Sequence, residues 1–462
     1  MEELGISFRP GLGEAISEPP IYRRIADSIA ARIARGELEP GDRLPNHRDL
    51  ATEFKVNVTT ITRAFHTLKR RGLVETRPGR GTVILDFRNG AGRFQSTPSD
   101  DRGVIDLSVN RPATAGYLEA LADVLPRLAR DRRYTSLKDY QAAEGPSWLR
   151  EAAAGWLKGY VPAAEASSLL ISAGAQHALA CILASVARPG DVVVADEITY
   201  MGLVALCRAR GLILRGLAMD DEGMRPDAFE EACLRWQPRL VFLMPSLHNP
   251  TAITMPEARR RALAIIARRH NVLILEDDVY APLLDERAPA FAALEPELTV
   301  HIAGLSKCVA PGLRIGFALV PRALAADVVA AFRVDCWNVC PLSALTATLL
   351  FEAGAVETIV EAQKQELFER QALTSAMLAG YDLRNNAQSP HAWLTLPDDW
   401  RDRDFGQACG ERGVTVMRAD PFSIGRDDPP NAVRINVAAA RTREDLKSAL
   451  AVMIDLLGTR SA

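Results

Sequence analysis

AGLSKCVAPGLRIGF, residues 303–317, is the stretch that decides the fold. It leaves an apolar run, turns at Ser306 and Lys307, passes a Pro-Gly pair and re-enters an apolar run at Ile315. Lysine is seldom buried unpaired, so Lys307 either snorkels to the surface or is covalently occupied. A lysine amine forms Schiff bases with carbonyls. Arg314, a fixed fork of donors in the same stretch, is suited to a planar anion.

Working outward, apolar runs alternate with helical patterns: VVVADE (192–197), LVFLMPS (240–246), VLILEDD (272–278), VHIAG (300–304) and IGFALV (315–320). Buried parallel strands with crossover helices have this appearance, which predicts an α/β fold with a mainly parallel sheet over residues 104–462. Beyond about 355 a long charged helix and short strands predict a smaller C-terminal lobe, about 355–462. Such sheets place ligands at strand ends. Three more constellations fall there. SAGAQHAL (172–179) is a small-residue turn entering a helix, so the N–H groups of Gly174, Ala175 and Gln176 can hold a phosphate. PSLHNPT (245–251) puts Asn249 in an extended turn before proline. VLILEDDVY ends on Glu276, Asp277 and Asp278, followed by Tyr280; three carboxylates at a buried strand end imply a cationic partner.

Together these four stretches assemble a site for pyridoxal 5′-phosphate, which needs a lysine, a carboxylate on its pyridine nitrogen and a phosphate cup. Residues 104–455 resemble fold-type I aminotransferases of class I, through GAQ, NPT, EDDxY, SKxxAPGLRxG and a late arginine. The resemblance implies that Lys307 forms the Schiff base and is the one catalytic residue. It implies that Asp277 pairs with the ring nitrogen, that Asn249 and Tyr280 bond the ring hydroxyl, and that Tyr200 stacks on the ring. Ser306, Arg314 and the Gly174–Gln176 turn would hold the phosphate, joined by Tyr140 from the partner subunit, and Arg434 would grip a ligand carboxylate. Two positions depart from the family pattern: Gly304 stands where many members have a hydroxyl, and Ala252 replaces the glycine of NPTG.

The N-terminal part reads differently. Residues 19–85 hold 13 Lys+Arg against 7 Asp+Glu, a balance of +6 that leaves −9 on the rest of a chain of net −3. A basic segment on an acidic protein suggests a nucleic-acid surface. Ile21, Ile25, Ile29 and Ile33 form one helical stripe; Asn46 can cap a second helix, HRDLATEF; Thr59 to Arg71 repeats apolar residues at Ile61, Phe65 and Leu68 and stops at Gly72. LVETRPGRGTVIL then reads as a hairpin with a basic tip. Helix, helix-turn-helix and hairpin is the order of a winged helix-turn-helix. PGDRLPNHRDLATEFKVNVTTITRAFHTLKRRGLVETRPGRGT resembles the DNA-binding head of GntR-type regulators, which implies double-stranded DNA as partner and Arg48, Thr59, Thr60, Thr62, Arg63, Arg80 and Gly81 near it. His47 stands where that family usually has a small hydroxyl residue.

The expected organisation is therefore a winged helix-turn-helix domain (1–85), a polar linker (86–103) and an aminotransferase-like domain (104–462). This is the architecture of the MocR subfamily, which implies a homodimer with each head over the partner's large domain. The expected function is a pyridoxal-phosphate-dependent DNA-binding transcription regulator that senses an amino compound or the cofactor itself. A working aminotransferase carrying a DNA-binding head remains the alternative. Seven scattered cysteines without a CxxC pair predict neither disulfides nor a zinc ribbon, and the seven histidines show no metal-ligand spacing. No apolar run has the ~18 residues of a membrane span and the N-terminus is acidic, so the cytosol is the expected location.

Overall fold

A computed structural model of the protein describes residues 20–34, 37–38, 42–70, 73–77, 81–84, 103–113, 116–425 and 429–458. The chain divides into two units, residues 1–98 and 99–462. Apart from Gly103, the stretch expected as a linker lies outside the described residues, as does Arg80.

In the first unit three of the four isoleucines of the expected stripe form the buried face of the helix Ile21–Ala34: Ile25, Ile29 and Ile33 are buried, whereas Ile21, at the helix start, is exposed. The second helix, His47–Phe54, starts where expected, because Asn46 Oδ1 accepts the N–H groups of Arg48 and Asp49, each at 3.0 Å. A cap of this kind stabilises a helix by about 1 kcal/mol. The third helix, Val58–Arg70, packs Ile61, Ala64, Phe65 and Leu68 into the same core. Strands Val74–Arg77 and Gly81–Ile84 pair antiparallel as the hairpin.

The second unit is built on seven strands: β1 (Leu169–Ser172), β2 (Val192–Asp196), β3 (Ile213–Leu217), β4 (Leu240–Leu243), β5 (Leu273–Asp277), β6 (Thr299–Gly304) and β7 (Gly316–Leu319). Their order in the sheet is β1-β7-β6-β5-β4-β2-β3. β7 runs antiparallel to both neighbours and every other pairing is parallel. β4 is buried along its whole length, the pattern of a strand covered on both faces. The α/β class and mainly parallel sheet are as expected.

The smaller lobe carries the long helix Ala355–Met377 and an antiparallel sheet of Leu383–Arg384, Ala392–Thr395, Ala432–Ile435 and Met417–Arg418, in that order. One element was not foreseen in it: Ile105–Asp106, at the beginning of the unit, pairs in parallel with Val414–Thr415. All seven cysteines are free. Among the described residues no single helix is long and apolar enough to cross a membrane.

Candidate functional site

The turn after β1 makes the anion cradle. Gly174 has φ +91°, which glycine tolerates and L side chains rarely adopt, and it starts the helix Ala175–Val186. The first N–H groups of a helix have no partner within it and carry the positive end of its dipole. Arg314 lies across this turn: its Nη2 donates to Ala173 O at 2.9 Å and its Nη1 to Ser306 Oγ at 3.5 Å. A Cβ on Gly174 would stand 2.6 Å from Arg314 Nη2, and one on Gly316 would stand 2.7 Å from the N–H nitrogen of Ala175. Both glycines are thus required for the arginine, the turn and β7 to meet. Gly304 has a related reason: a Cβ there would lie 3.2 Å from Ile315 O and 3.3 Å from Gly316 Cα, so the hydroxyl residue common in the family has little room.

The three strand-end carboxylates have separate fates. Glu276 accepts the N–H groups of Phe291 and Ala292, at 2.8 and 3.1 Å, and bonds His301 Nδ1 at 2.9 Å. Burial alone would raise its pKa, but the His301 imidazole outweighs this and holds it low. The cationic partner expected for the trio is, for Glu276, His301. Asp278 is buried with its pKa raised, burial being the main cause and Glu276 the next. Asp277 is buried too, and its Oδ1, like that of Asp278, has no partner among the described residues; burial pushes its pKa up to about 7, partly offset by the N–H of Val279 and by Lys307, the charge that sets it apart from Asp278.

Lys307 is half-buried after β6, and its Nζ donates to Asn110 O at 2.7 Å. Burial and then the Arg434 charge bring its pKa down to about 8. Tyr200 begins the helix Met201–Ala209, and its ring lies where a Cβ on Gly202 would meet it; Gln176 Oε1, buried and unpartnered, is beside the same point. Tyr280 is buried, with its hydroxyl accepting from Asn110 Nδ2. Burial is the first cause of the raised pKa of both tyrosines, which therefore stay neutral donors.

Arg434 enters from the smaller lobe. It is 2% exposed, its Nη1 donates to Asn249 Oδ1 at 2.9 Å, its Nη2 donates to Ser108 O, and its Nε has no partner. Phe422 lies under the guanidinium, 5.2 Å from ring centroid to Cζ. Among the described residues no carboxylate forms an ion pair with it, and burial brings its pKa down to about 10. Ala252, the glycine substitute, is buried at φ +60°, in the left-handed region that favours glycine. Tyr140 stands apart from the others, 84% exposed, with its ring 5.4 Å from that of Trp337.

Three residues at this site were missed in the sequence. Asn110 joins Lys307 to Tyr280; Asn436 Nδ2 donates to Val109 O at 2.7 Å, with longer contacts to Asn110 Oδ1 and Arg111 O; Gln363 Nε2 donates to Lys307 O at 2.9 Å. Isolated amides of this kind carry no local pattern.

On the head, Arg48 is exposed on the second helix, and on the third helix Thr59, Thr62 and Arg63 are exposed and Thr60 half-buried, away from the buried Ile61, Ala64, Phe65 and Leu68. Asn57 Oδ1 accepts from the N–H and the hydroxyl of Thr59, fixing the helix start. Gly81 has φ +75°, and a Cβ there would lie 2.7 Å from Arg43 Nε, bringing an unforeseen arginine beside the hairpin. His47 has an internal role: Thr62 Oγ1 donates to Val58 O and accepts from His47 Nδ1 at 3.3 Å, while the His47 ring packs edge-on to Phe65, 4.5 Å between centroids.

A helix start crossed by Arg314, an unpartnered buried acid and a lysine of lowered pKa fit a group with an anionic phosphate, a basic nitrogen and a carbonyl. Known proteins agree with that fit. Residues 102–453 match the family model "Aminotransferase class I and II", and residues 21–84 match "Bacterial regulatory proteins, gntR family". The HTH-type transcriptional regulator YdeF of Bacillus subtilis is 30% identical over 99% of this chain and 98% of its own length. The vitamin B6 salvage pathway transcriptional repressor PtsJ of Salmonella typhimurium is 30% identical over 91% of this chain and 95% of its own. Among solved structures, an archaeal alanine:glyoxylate aminotransferase superposes with a TM-score of 0.72 at 22% identity, covering 85% of this chain and 98% of that one, a likeness of fold. The chain thus belongs to the class I and II aminotransferase family and carries a gntR-family DNA-binding head, the organisation of MocR-type transcription regulators.

Proposed function

We propose that this regulator binds pyridoxal 5′-phosphate in the site described and uses it to sense an amino acid or aminosulfonate. When bound, the cofactor supplies a carbonyl that condenses with amines and a ring that withdraws electrons from the resulting bond. Lys307 would hold that carbonyl. Asp277, whose Oδ1 lacks any partner among the described residues, would as a carboxylate accept a hydrogen bond from the protonated ring nitrogen and keep that proton in place, forming a buried ion pair. Arg314, Ser306 and the N–H groups of Gly174, Ala175 and Gln176 would take the phosphate, Asn249 and Tyr280 the ring hydroxyl, and Tyr200 one ring face. The exposed Tyr140 would reach the phosphate of a partner subunit. Trp337, 51% exposed, packs against the Tyr140 ring, and Val334 and Leu342, 88 and 52% exposed, lie close to Trp337 in sequence; these exposed apolar side chains support a homodimer whose interface covers them.

The observation that carries the effector reading is Arg434. A buried guanidinium that has two neutral acceptors, one idle N–H and no carboxylate among the described residues is a receptor for an incoming anion. Were the cofactor alone the signal, this arginine would have no reason to lack a carboxylate. On the head, Arg48 and Arg63 would meet phosphates or base edges of duplex DNA. The test compares Arg434→Ala with the wild type, both loaded with pyridoxal phosphate and titrated with a panel of amino acids and aminosulfonates. The expected result is a visible-spectrum response in the wild type and its loss in the variant, with cofactor binding retained. An unchanged response in the variant contradicts the amino-ligand reading and favours the cofactor itself as signal.

A further inference from the structure

Residues 107–111 are the first stretch of the second unit to reach the site: Leu107 N–H is held by Thr415 O and Ser108 by Asp106 Oδ1, and the other anchors between this stretch and the rest of the unit are site residues. Arg434 Nη2 donates to Ser108 O, and Lys307 Nζ donates to Asn110 O at 2.7 Å. Asn110 Nδ2 donates to the Tyr280 hydroxyl. Asn436, two residues after Arg434, donates from its side chain to Val109 O at 2.7 Å and from its N–H to Leu107 O at 2.9 Å. Just before it, Ile105–Asp106 is fixed to the smaller lobe through Val414–Thr415. In sequence this stretch begins four residues after the end of the expected linker, 86–103.

Two of those anchors are side chains that ligands would take away. Condensation of the Lys307 amine with an aldehyde forms one C=N bond, and both amine hydrogens leave with the carbonyl oxygen as water. The donor that Asn110 O accepts in the free state is then gone. A carboxylate arriving at Arg434 competes in the same way for the N–H given to Ser108 O. Each event leaves a half-buried backbone carbonyl short of its protein partner, which favours a segment that moves or finds another.

We propose that residues 107–111 are the relay that reports the state of Lys307 and Arg434 to the head-proximal end of this unit, with Asn110 as its positioning residue. The relay rests on the cofactor-sensing reading above and adds to it the element through which sensing acts. Asn110 serves twice: its carbonyl registers whether the lysine is free, and its side chain ties the segment to Tyr280 and, at 3.2 Å from Asn436 Nδ2, to the smaller lobe.

The experiment uses full-length protein and a duplex that the wild type selects from a random library. Two probes are added separately: pyridoxal phosphate, which consumes the lysine amine, and pyridoxamine phosphate, which has no carbonyl and leaves it free. DNA affinity and amide hydrogen exchange over residues 105–111 are measured for wild type, Asn110→Ala and Asn436→Ala, with saturation judged by visible absorbance. In the wild type, pyridoxal phosphate should change DNA affinity by about 5- to 150-fold, the usual range of site–site coupling. It should also speed exchange at 107–111, whereas pyridoxamine phosphate should not. In both variants the affinity ratio should collapse toward unity, with cofactor-free DNA affinity unchanged. If both variants keep the wild-type ratio, or exchange at 107–111 ignores the aldehyde, the relay is wrong. If wild-type DNA affinity itself ignores a saturating aldehyde, it is the cofactor-sensing reading that fails. Should Asn436→Ala not fold, Asn110→Ala and the wild-type exchange data decide alone.

Discussion

The two working surfaces of this protein are built on opposite physical terms. On the head, Arg48, Thr59, Thr62 and Arg63 are exposed side chains of short helices, held by local hydrogen bonds near the helix starts. In the second unit, Asp277, Asn249, Tyr280 and Arg434 are buried and left with unpartnered atoms or neutral partners. An exposed arginine costs nothing while it waits for DNA. A buried acid or guanidinium is held at a cost that only the arriving group relieves. Perturbed pKa values accordingly gather in the second unit, which is where buried functional groups put them.

That contrast can be pressed hardest at Asp277. Asp277→Asn keeps the shape but cannot ionise, so the pairing with a ring nitrogen loses its charge-assisted part, worth ~1.5 to 3 kcal/mol. Pyridoxal phosphate affinity should fall by roughly 10- to 100-fold, read by absorbance titration, and DNA binding by cofactor-free protein should stay as it was. Unaltered cofactor affinity would mean that Asp277 is merely a buried structural acid.

A second effect comes from Lys307. Its folded pKa of about 8 lies below the ordinary 10.5, because burial disfavours the cation. Only the neutral amine attacks a carbonyl, and each pH unit below the pKa cuts the neutral fraction about tenfold. Capture of pyridoxal phosphate by cofactor-free protein should therefore speed up ~10-fold from pH 7 to 9 and then level off. A lysine of ordinary pKa would show no plateau in that range. The sign for stability follows: between about 8 and 10.5 the unfolded chain binds more protons at this group, so its contribution to stability rises with pH there.

The smallest effect tests strain rather than charge. Ala252 at φ +60° pays for a left-handed backbone that glycine adopts freely, against which glycine loses more chain entropy on folding. Ala252→Gly should leave the protein ~0.5 to 1 kcal/mol more stable by denaturant titration. A drop in stability would show that the Ala252 methyl packs well enough to outweigh its backbone.

How far each surface could be read from the sequence follows from the same contrast. The head was legible almost to the residue, because Asn46, the isoleucine stripe and Ile61–Phe65–Leu68 are local signals, and the helices formed where they were expected. Asp277 and Lys307 also stood out in the sequence, since charge at the end of an apolar run has few structural explanations, whereas Asn249 read by itself as a turn residue. What escaped was long-range. Asn110 meets Lys307 and Tyr280 across 197 and 170 residues of chain, and no periodicity encodes such a contact. Ile105–Asp106 is a two-residue strand whose partner lies three hundred residues away, too short to show an alternation. His47 was legible as a departure, but its hydrogen bond to Thr62 needed the two helices in place.

The most direct measurement of the central claim, that one chain couples a cofactor site to DNA, is equilibrium DNA binding of full-length protein across a pyridoxal phosphate titration, followed together with visible absorbance. Wild type should show a change in DNA affinity of ~1 to 3 kcal/mol that saturates with the absorbance. Lys307→Ala should show neither the absorbance of a lysine-bound cofactor nor the shift. Absorbance that saturates while the wild-type DNA affinity stays constant at every cofactor concentration would contradict the account.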